Sequence, residues 1–463
     1  MSPSGTSPGS FRDPSGSVHL VGRRVFRTVL PPARDDFEAA EERGFLSRLV
    51  DEGRLVPHRR VDAAESAGLG LDAPVVLEHP RLPFVSWPYE WPFPALRAAA
   101  LFHLDLQLDA LAAGFTMSDA SAFNVQFRGP EPVFVDTLSF RRYRDGEYWL
   151  GHRQFCEQFL NPLLLHALVG VPYSSWFRGS PEGLPAADLA PMLRLRHRLS
   201  WKVLAHVTLQ ARFQDAASRG RAARVSAARA MPREGLVSML GALRRWIAGL
   251  EAGGPRRTAW SHYAGETSYV PEEARAKSEF VRDFVGRFRP ETVWDLGCNT
   301  GDYAVAALEA GARRVIGFDA DHGAAGRAFE RAKRERLDFL PLVVDVASPT
   351  PSQGWAQEER AGIRERAEAD AVLALALVHH LAISRNVPLE RVVSFIVGLA
   401  PAGVIEFVPK SDPMVAELLR LREDVFPGYG EPLFLDCLRS RAEIVSTARV
   451  SSTGRVLVSF RRR

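Results

Sequence analysis

The chain has 463 residues, 46% of them apolar, and a formal net charge of only +4 from 59 Lys and Arg against 55 Asp and Glu. That length fits two or three domains of ordinary size, and the composition is that of a chain able to build globular cores. So small a net charge excludes a polycationic nucleic-acid binder as the role of the whole chain, and no apolar run reaches the roughly 20 residues needed to cross a bilayer.

In chain order, residues 1–17 (MSPSGTSPGSFRDPSGS) are rich in Ser, Gly and Pro and lack an apolar core segment. They predict a disordered tail, not a signal peptide. Residues 18–170 read as an α+β domain. HLVGRRVFRTVL is paired-strand material, FEAAEERGFLSRLVDEG an amphipathic helix stopped at Gly53, and ALRAAALFHLDLQLDALAAG a second helix stopped at Gly114. VQFRG followed by PEPVFVDTL predicts a hairpin turning at Gly129-Pro130. Residues 171–258 are mainly helical and arginine-rich. LRLRHRLSWKVLAHVTLQARF carries apolar residues at helical spacing with arginines on a solvated face, and GRAARVSAARAMPREG reads as a mobile basic connector.

From residue 259 to 463 the pattern changes. TVWDLG, RVIGFDA, LPLVVDV, DAVLALAL and GVIEFV alternate with helical stretches, which predicts an α/β domain with a Rossmann-like, doubly wound parallel sheet. AEIVSTARVSSTGRVLVSFRRR predicts an antiparallel pair around a Ser-Thr-Gly turn, closing one sheet edge. Cys156, Cys298 and Cys437 stand far apart, with neither a metal-ligand spacing nor an even count for a disulfide framework. A reducing, cytoplasmic compartment is the reading that fits.

The chemistry concentrates in Asp295-Leu296-Gly297-Cys298-Asn299-Thr300-Gly301, where a strand ends, the chain turns sharply and a helix begins. Glycines there let a ligand approach the main chain, and a helix N-terminus offers unpaired N–H groups. A dinucleotide loop needs G-x-G-x-x-G; here Asn299 stands at the middle glycine and the spacing differs, so a pyrophosphate is disfavoured. The stretch resembles motif I of the class I S-adenosylmethionine-dependent methyltransferases, and the resemblance covers roughly residues 259–463. It implies S-adenosyl-L-methionine as cofactor, held by Asp295, Gly297, Cys298, Asn299 and Gly301 at its methionine end. Asp319 and the adjoining Ala320 would meet the ribose hydroxyls, and Asp345 with Val346 the adenine. ALVHHL, after the fourth strand, would line the methyl-transfer pocket, with His379 and His380 as candidate bases and Glu406 as a weaker contact. Tyr263 and Tyr269 are candidates to close the pocket. Asp412, Arg422 and Tyr429 are candidates to meet a polar substrate.

A second pattern lies upstream. Asp119 and Asn124 are five apart, and apolar VFV then leads into Asp136. That order resembles the catalytic core of protein-kinase-like and aminoglycoside-phosphotransferase-like folds, where Asp119 would orient a hydroxyl while Asn124 and Asp136 hold magnesium. Glu41 or Glu42 would be the acid of the regulatory helix. The departures are Met117 two before Asp119, Thr137-Leu138 after Asp136, no glycine-rich loop, and Arg24 or Arg27 where a lysine is expected. No metal is otherwise expected.

The reading is a methyltransferase whose N-terminal half recognises substrate or partner. A small-molecule methyl acceptor is favoured, a membrane is excluded, and nucleic acid is disfavoured because no aromatic–basic interleaving accompanies the arginines. The alternatives are a bifunctional protein that also transfers phosphate, and a non-catalytic binding module that keeps the cofactor fold.

Overall fold

The structure, a computed structural model, describes residues 5–208, 231–254, 271–420 and 423–463. It divides into two compact units: Met1–Phe127, Glu131–Arg256 and Ser352–Arg360 in one, Arg128–Pro130, Arg257–Pro351 and Ala361–Arg463 in the other.

The first unit contains a five-stranded antiparallel sheet in the order Gly5–Thr6, Val18–Val21, Arg24–Val29, Val75–His79, Arg59–Arg60. Ordered structure therefore begins within the stretch expected to be a disordered tail, at Gly5 instead of Val18. Gly5 and Thr6 pair with Leu20 and His19, and the Ser7 N–H donates to Val18 O. Ser and Gly lack the bulk that advertises a strand, but edge pairing uses only main-chain groups. The helix expected over 37–53 is two helices, Pro31–Glu42 and Phe45–Asp51, because Gly44 takes a left-handed φ of 68° between them. Helix Phe93–Ala112 runs as expected to Gly114 and buries one broad face, with Leu96, Ala100, His103, Gln107 and Ala110 fully buried. The hairpin Val125–Arg128 with Glu131–Phe134 turns at Gly129-Pro130.

The arginine-rich middle is not a separate body. Helix Arg233–Ala248 lies on Phe93–Ala112, where Arg244 pairs with Asp105 and Arg97 Nη1 donates to Leu250 O at 2.8 Å. Residues 193–208 form short pieces, Leu195–Arg198, Trp201–Val203 and Leu204–Thr208, broken at Ser200, which is extended. Leu195, Leu199 and Trp201 are exposed there beside the arginines. Most of the expected connector lies outside the described residues.

The second unit has seven strands: β1 Thr292–Leu296, β2 Arg314–Asp319, β3 Phe339–Val343, β4 Ala371–Ala374, β5 Ala402–Phe407, β6 Ala442–Arg449 and β7 Val456–Arg462. Its helices are α1 Pro271–Phe288, α2 Asp302–Glu309, α3 His322–Glu335, α4 Leu389–Leu399, α5 Pro413–Leu419 and α6 Glu431–Arg439. The strands lie in the order β3-β2-β1-β4-β5-β7-β6. β1 to β5 are mutually parallel, while β7 is antiparallel to both β5 and β6. This is the doubly wound sheet with an antiparallel closing pair that the sequence implies. β1, β4 and β5 are buried at every position, because helices cover both faces of a parallel sheet. The chain order reverses between β1 and β4. At such a switch point the loops after the two strands diverge and leave a crevice at their carboxyl ends.

Candidate functional site

The bend after β1 is built by three residues in left-handed conformation: Gly297 (φ 75°), Asn299 (φ 47°) and Gly301 (φ 87°). Glycine adopts this at no steric cost and asparagine tolerates it better than most residues, so Asn299 preserves the turn. The N–H groups of Gly297 and Cys298 both donate to Phe318 O, at 2.7 and 3.1 Å, which ties the bend to β2. Gly301 then caps α2. The two glycines differ in surroundings. A methyl group at Gly301 would collide with the Phe339 ring, whereas one at Gly297 would meet nothing nearer than Leu377 Cδ1 at 3.7 Å. Gly301 is there for packing, and Gly297 faces open space beside the loop after β4.

Asp319 ends β2 and reaches across to the bend. Its Oδ2 accepts the Asn299 N–H at 2.8 Å and its Oδ1 accepts the Asp321 N–H at 2.8 Å. Burial raises its carboxyl above the ordinary range, and the two N–H bonds oppose that. Asp319 does not cap α3. Asp321 does, accepting from Gly323 and Ala324. Ala320 between them is exposed.

Asp295 lies beneath the bend, 2% exposed, and its Oδ2 has no hydrogen-bond partner among the described residues. Burial, then the charges of Asp319 and Asp302, push its carboxyl up to about 7. Asn299 Oδ1 is likewise buried without a partner. Cys298, named with the loop from sequence, contributes only its main chain. Its thiol turns into the core against Gly317, and burial raises it well above the ordinary range.

Asp345 falls two residues beyond the end of β3. Its Oδ1 accepts the Ala347 N–H at 2.9 Å and its Oδ2 pairs with Arg385 at 2.8 Å; Val346 beside it is half-buried.

The run DAVLALAL leaves the sheet early, at Ala374, because Ala376 turns left-handed (φ 49°). Glu406 accounts for that turn: its Oε2 accepts the Ala376 N–H at 2.8 Å. Its Oε1 pairs with Lys277 of α1 at 2.6 Å, and both side chains are fully buried. Arg455 extends the network, 3.6 Å from Glu406 and bidentate to Asp412 at 2.6 and 2.8 Å. Glu406 is thus a buried organiser of the loop after β4, with its carboxylate committed inside the protein.

His379 and His380 follow, ring centroids 4.1 Å apart. His379 is 1% exposed, and burial lowers it well below the ordinary histidine range. His380 opens a π-helical turn, is half-buried, and is lowered to about 4, again by burial. Both are neutral near pH 7.

Two expected substrate contacts are satisfied internally. Asp412 caps α5 and holds Arg455 and Thr453, and the Tyr429 hydroxyl donates to Val408 O at 2.7 Å. Tyr263, Tyr269 and Arg422 lie outside the described residues. Lys277 and Arg455 were not named from sequence. Lys277 had a signal: it lies four and seven residues before Val281 and Phe284, on the apolar face of α1.

In the first unit, Asp119, Asn124 and Asp136 do converge. Asn124 Nδ2 is 3.2 Å from Asp119 Oδ2 and 3.4 Å from Asp136 Oδ2. Ser139 Oγ donates toward both carboxylates, at 2.9 and 2.7 Å. Burial, then the charge of Asp136, raises Asp119 to about 6. Arg27 sits 2.9 Å from Asp136 and 2.6 Å from Asp13. Glu41 pairs with His58 and Arg60, and Arg24 with Glu65 and Glu78.

No family model matches the chain. Among solved structures, it is similar to magnesium protoporphyrin IX methyltransferase of Synechocystis PCC 6803 with bound SAH, at 19% identity and TM-score 0.31, over 44% of this chain and 93% of that one. It is also similar to the N-methyltransferase NodS of Bradyrhizobium japonicum WM9, at 14% identity and TM-score 0.31, over 42% and 97%. Among curated proteins, nodulation protein NoeA of Rhizobium meliloti (strain 1021) is 45% identical over 462 residues, 99% of this chain and 96% of the relative. With identity at that level along nearly the whole of both chains, this protein belongs to the family of the nodulation protein NoeA.

Proposed function

We propose that the second unit is a class I methyltransferase that uses S-adenosyl-L-methionine, and that the first unit recognises substrate or partner. The observation that carries this is the pairing of Asp295 and Asp319 at one glycine-lined bend. Asp295 offers a buried acceptor without a partner, which an α-ammonium group would satisfy. Asp319 uses two of its roughly four acceptor sites on backbone N–H groups, leaving capacity for a vicinal diol. Gly297 adds no side chain at the bend, and a Cβ there would meet nothing nearer than Leu377 Cδ1 at 3.7 Å. When bound, the cofactor supplies an electrophilic methyl group on a sulfonium.

The chain's own part is to orient and to exclude water. Glu406, held by Lys277, aims the loop after β4, and Leu377 of that loop stands against the bend. Holding an acceptor in line in such a crevice can lower the barrier by several kcal/mol. His380 is the more accessible of the two histidines. Neutral at pH 7, it can accept a hydrogen bond from a hydroxyl or amine and so fix its direction; His379 supports it from within.

The acceptor class is an oxygen or nitrogen nucleophile on a small molecule. Kinship with NoeA supports a role in nodulation. A cytoplasmic site of action is supported by three cysteines that are all buried and form no disulfide. Among the described residues no helix is long and apolar enough to cross a membrane.

Titration calorimetry with S-adenosylhomocysteine tests the cofactor reading: one site per chain is expected, and no heat at millimolar ligand refutes it. A tritiated-methyl screen of extracts then separates an enzyme from a binding module. Tight cofactor binding with no labelled product favours the module. A second reading, phosphate transfer by the first unit, is favoured by the convergence of Asp119, Asn124 and Asp136. It requires magnesium-dependent ATP binding that Asp136→Ala abolishes, and is refuted by no binding at millimolar ATP.

A further inference from the structure

We infer that His152, Cys156 and His206 form a divalent-metal site, suited to zinc. His152 and Cys156 are four residues apart where the α-helix His152–Phe155 continues into the π-helical turn Cys156–Leu160, so both point from one face. His206 comes from the separate segment Leu204–Thr208. His152 Nε2 lies 3.3 Å from His206 Nδ1 and 3.9 Å from Cys156 Sγ, and the three ligand atoms all lie within 4.8 Å of one another.

The two separations from His152 Nε2 are near the edges of a zinc tetrahedron. Zn–N bonds of about 2.0–2.1 Å and a Zn–S bond of about 2.3 Å set edges of about 3.3 Å between nitrogens and about 3.6 Å from nitrogen to sulfur. Ring-nitrogen and thiolate donors without a carboxylate select zinc over magnesium or calcium. Tyr148 and Trp149 pack on the His152 ring and Trp246 on the His206 ring, an aromatic wall that holds both rings in place. Three protein ligands leave a fourth position for water, on the side where His206 is half-exposed.

The sequence shows only half of this. The His-x-x-x-Cys pair is readable on a helix, but the third residue lies 50 residues further on, which is why the sequence carried no signal for a metal site here.

The test uses the full chain, stripped with chelator and titrated with cobalt(II) and then zinc. One equivalent of cobalt should bind, with the d–d bands of a tetrahedral ion and a thiolate-to-cobalt charge-transfer band, and zinc should displace it. Cys156→Ser should remove the charge-transfer band. His206→Ala deletes a ligand without hollowing the core, and should weaken binding at least about tenfold while far-ultraviolet circular dichroism stays unchanged. No stoichiometric uptake at micromolar metal overturns the site, as does uptake that His206→Ala leaves unaltered.

Discussion

Replacing Asp295 by asparagine removes the most strongly perturbed carboxyl of the proposed cofactor crevice at nearly constant volume. In the folded chain this group holds its proton to about pH 7 against an ordinary value of 3.8. The folded state therefore binds more protons than the unfolded chain between those limits, and stability falls as pH rises through them. A tenfold change in proton affinity corresponds to about 1.36 kcal/mol, so the loss approaches about 4 kcal/mol across the whole window and about 2.3 kcal/mol between pH 5 and pH 7. The Asp295→Asn variant has no titrating group at this position and escapes that loss. It brings a buried amide with its own pH-independent cost, so the informative quantity is the change in the difference between the two proteins. Urea unfolding without cofactor, followed by the buried Trp294 on the same strand, should show that difference moving toward the variant by about 2–3 kcal/mol from pH 5 to pH 8. Asp319 titrates in both proteins and largely cancels. A difference that is the same at both pH values refutes the argument that Asp295 is a buried, unpaired acid. Addition of S-adenosylhomocysteine should restore wild-type stability at pH 8 and leave the variant unmoved.

The remaining expectations concern neighbouring residues. Asp319→Ala should weaken S-adenosylhomocysteine binding by about 1–3 kcal/mol, the scale of losing buried hydrogen bonds; unchanged calorimetric affinity would exclude its ribose role. Gly301→Ala should lower the melting temperature through both its left-handed φ and the Phe339 ring, whereas Gly297→Ala, strained by φ alone, should cost less stability while weakening cofactor binding. Lys277→Met leaves Glu406 buried without its closest cation and should cost about 3–5 kcal/mol in denaturant unfolding; Lys277→Met with Glu406→Gln should recover part of it. Because His380 is lowered to about 4, methyl transfer, once an acceptor is found, should show no histidine limb between pH 5.5 and 8. A limb near pH 6.5 removed by His380→Ala would contradict that.

The second unit was legible in outline because its signals are local. A left-handed bend needs glycine or asparagine at fixed positions, and Gly297, Asn299 and Gly301 occupy them. A buried parallel strand needs an unbroken apolar run, and five such runs appear in order. The antiparallel pair at the C-terminus was readable as a hairpin, although its insertion order, β7 between β5 and β6, was not. Asp119, Asn124 and Asp136 were grouped because their order resembles a kinase-like core, and the fold brings them together.

What only the tertiary structure decided is which polar groups are already spoken for. In the sequence His379, Glu406, Asp412 and Tyr429 look as available as Asp319. Folded, His379 is sealed in, Glu406 belongs to Lys277, Asp412 to Arg455, and Tyr429 to a backbone carbonyl. Likewise Cys156 is a lone thiol in the chain and a neighbour of two histidines in space. Backbone geometry and hydrophobic period are properties of adjacent residues, so the sequence states them outright. Desolvation and pairing depend on residues brought from far along the chain, and they exist only once the core has closed around them.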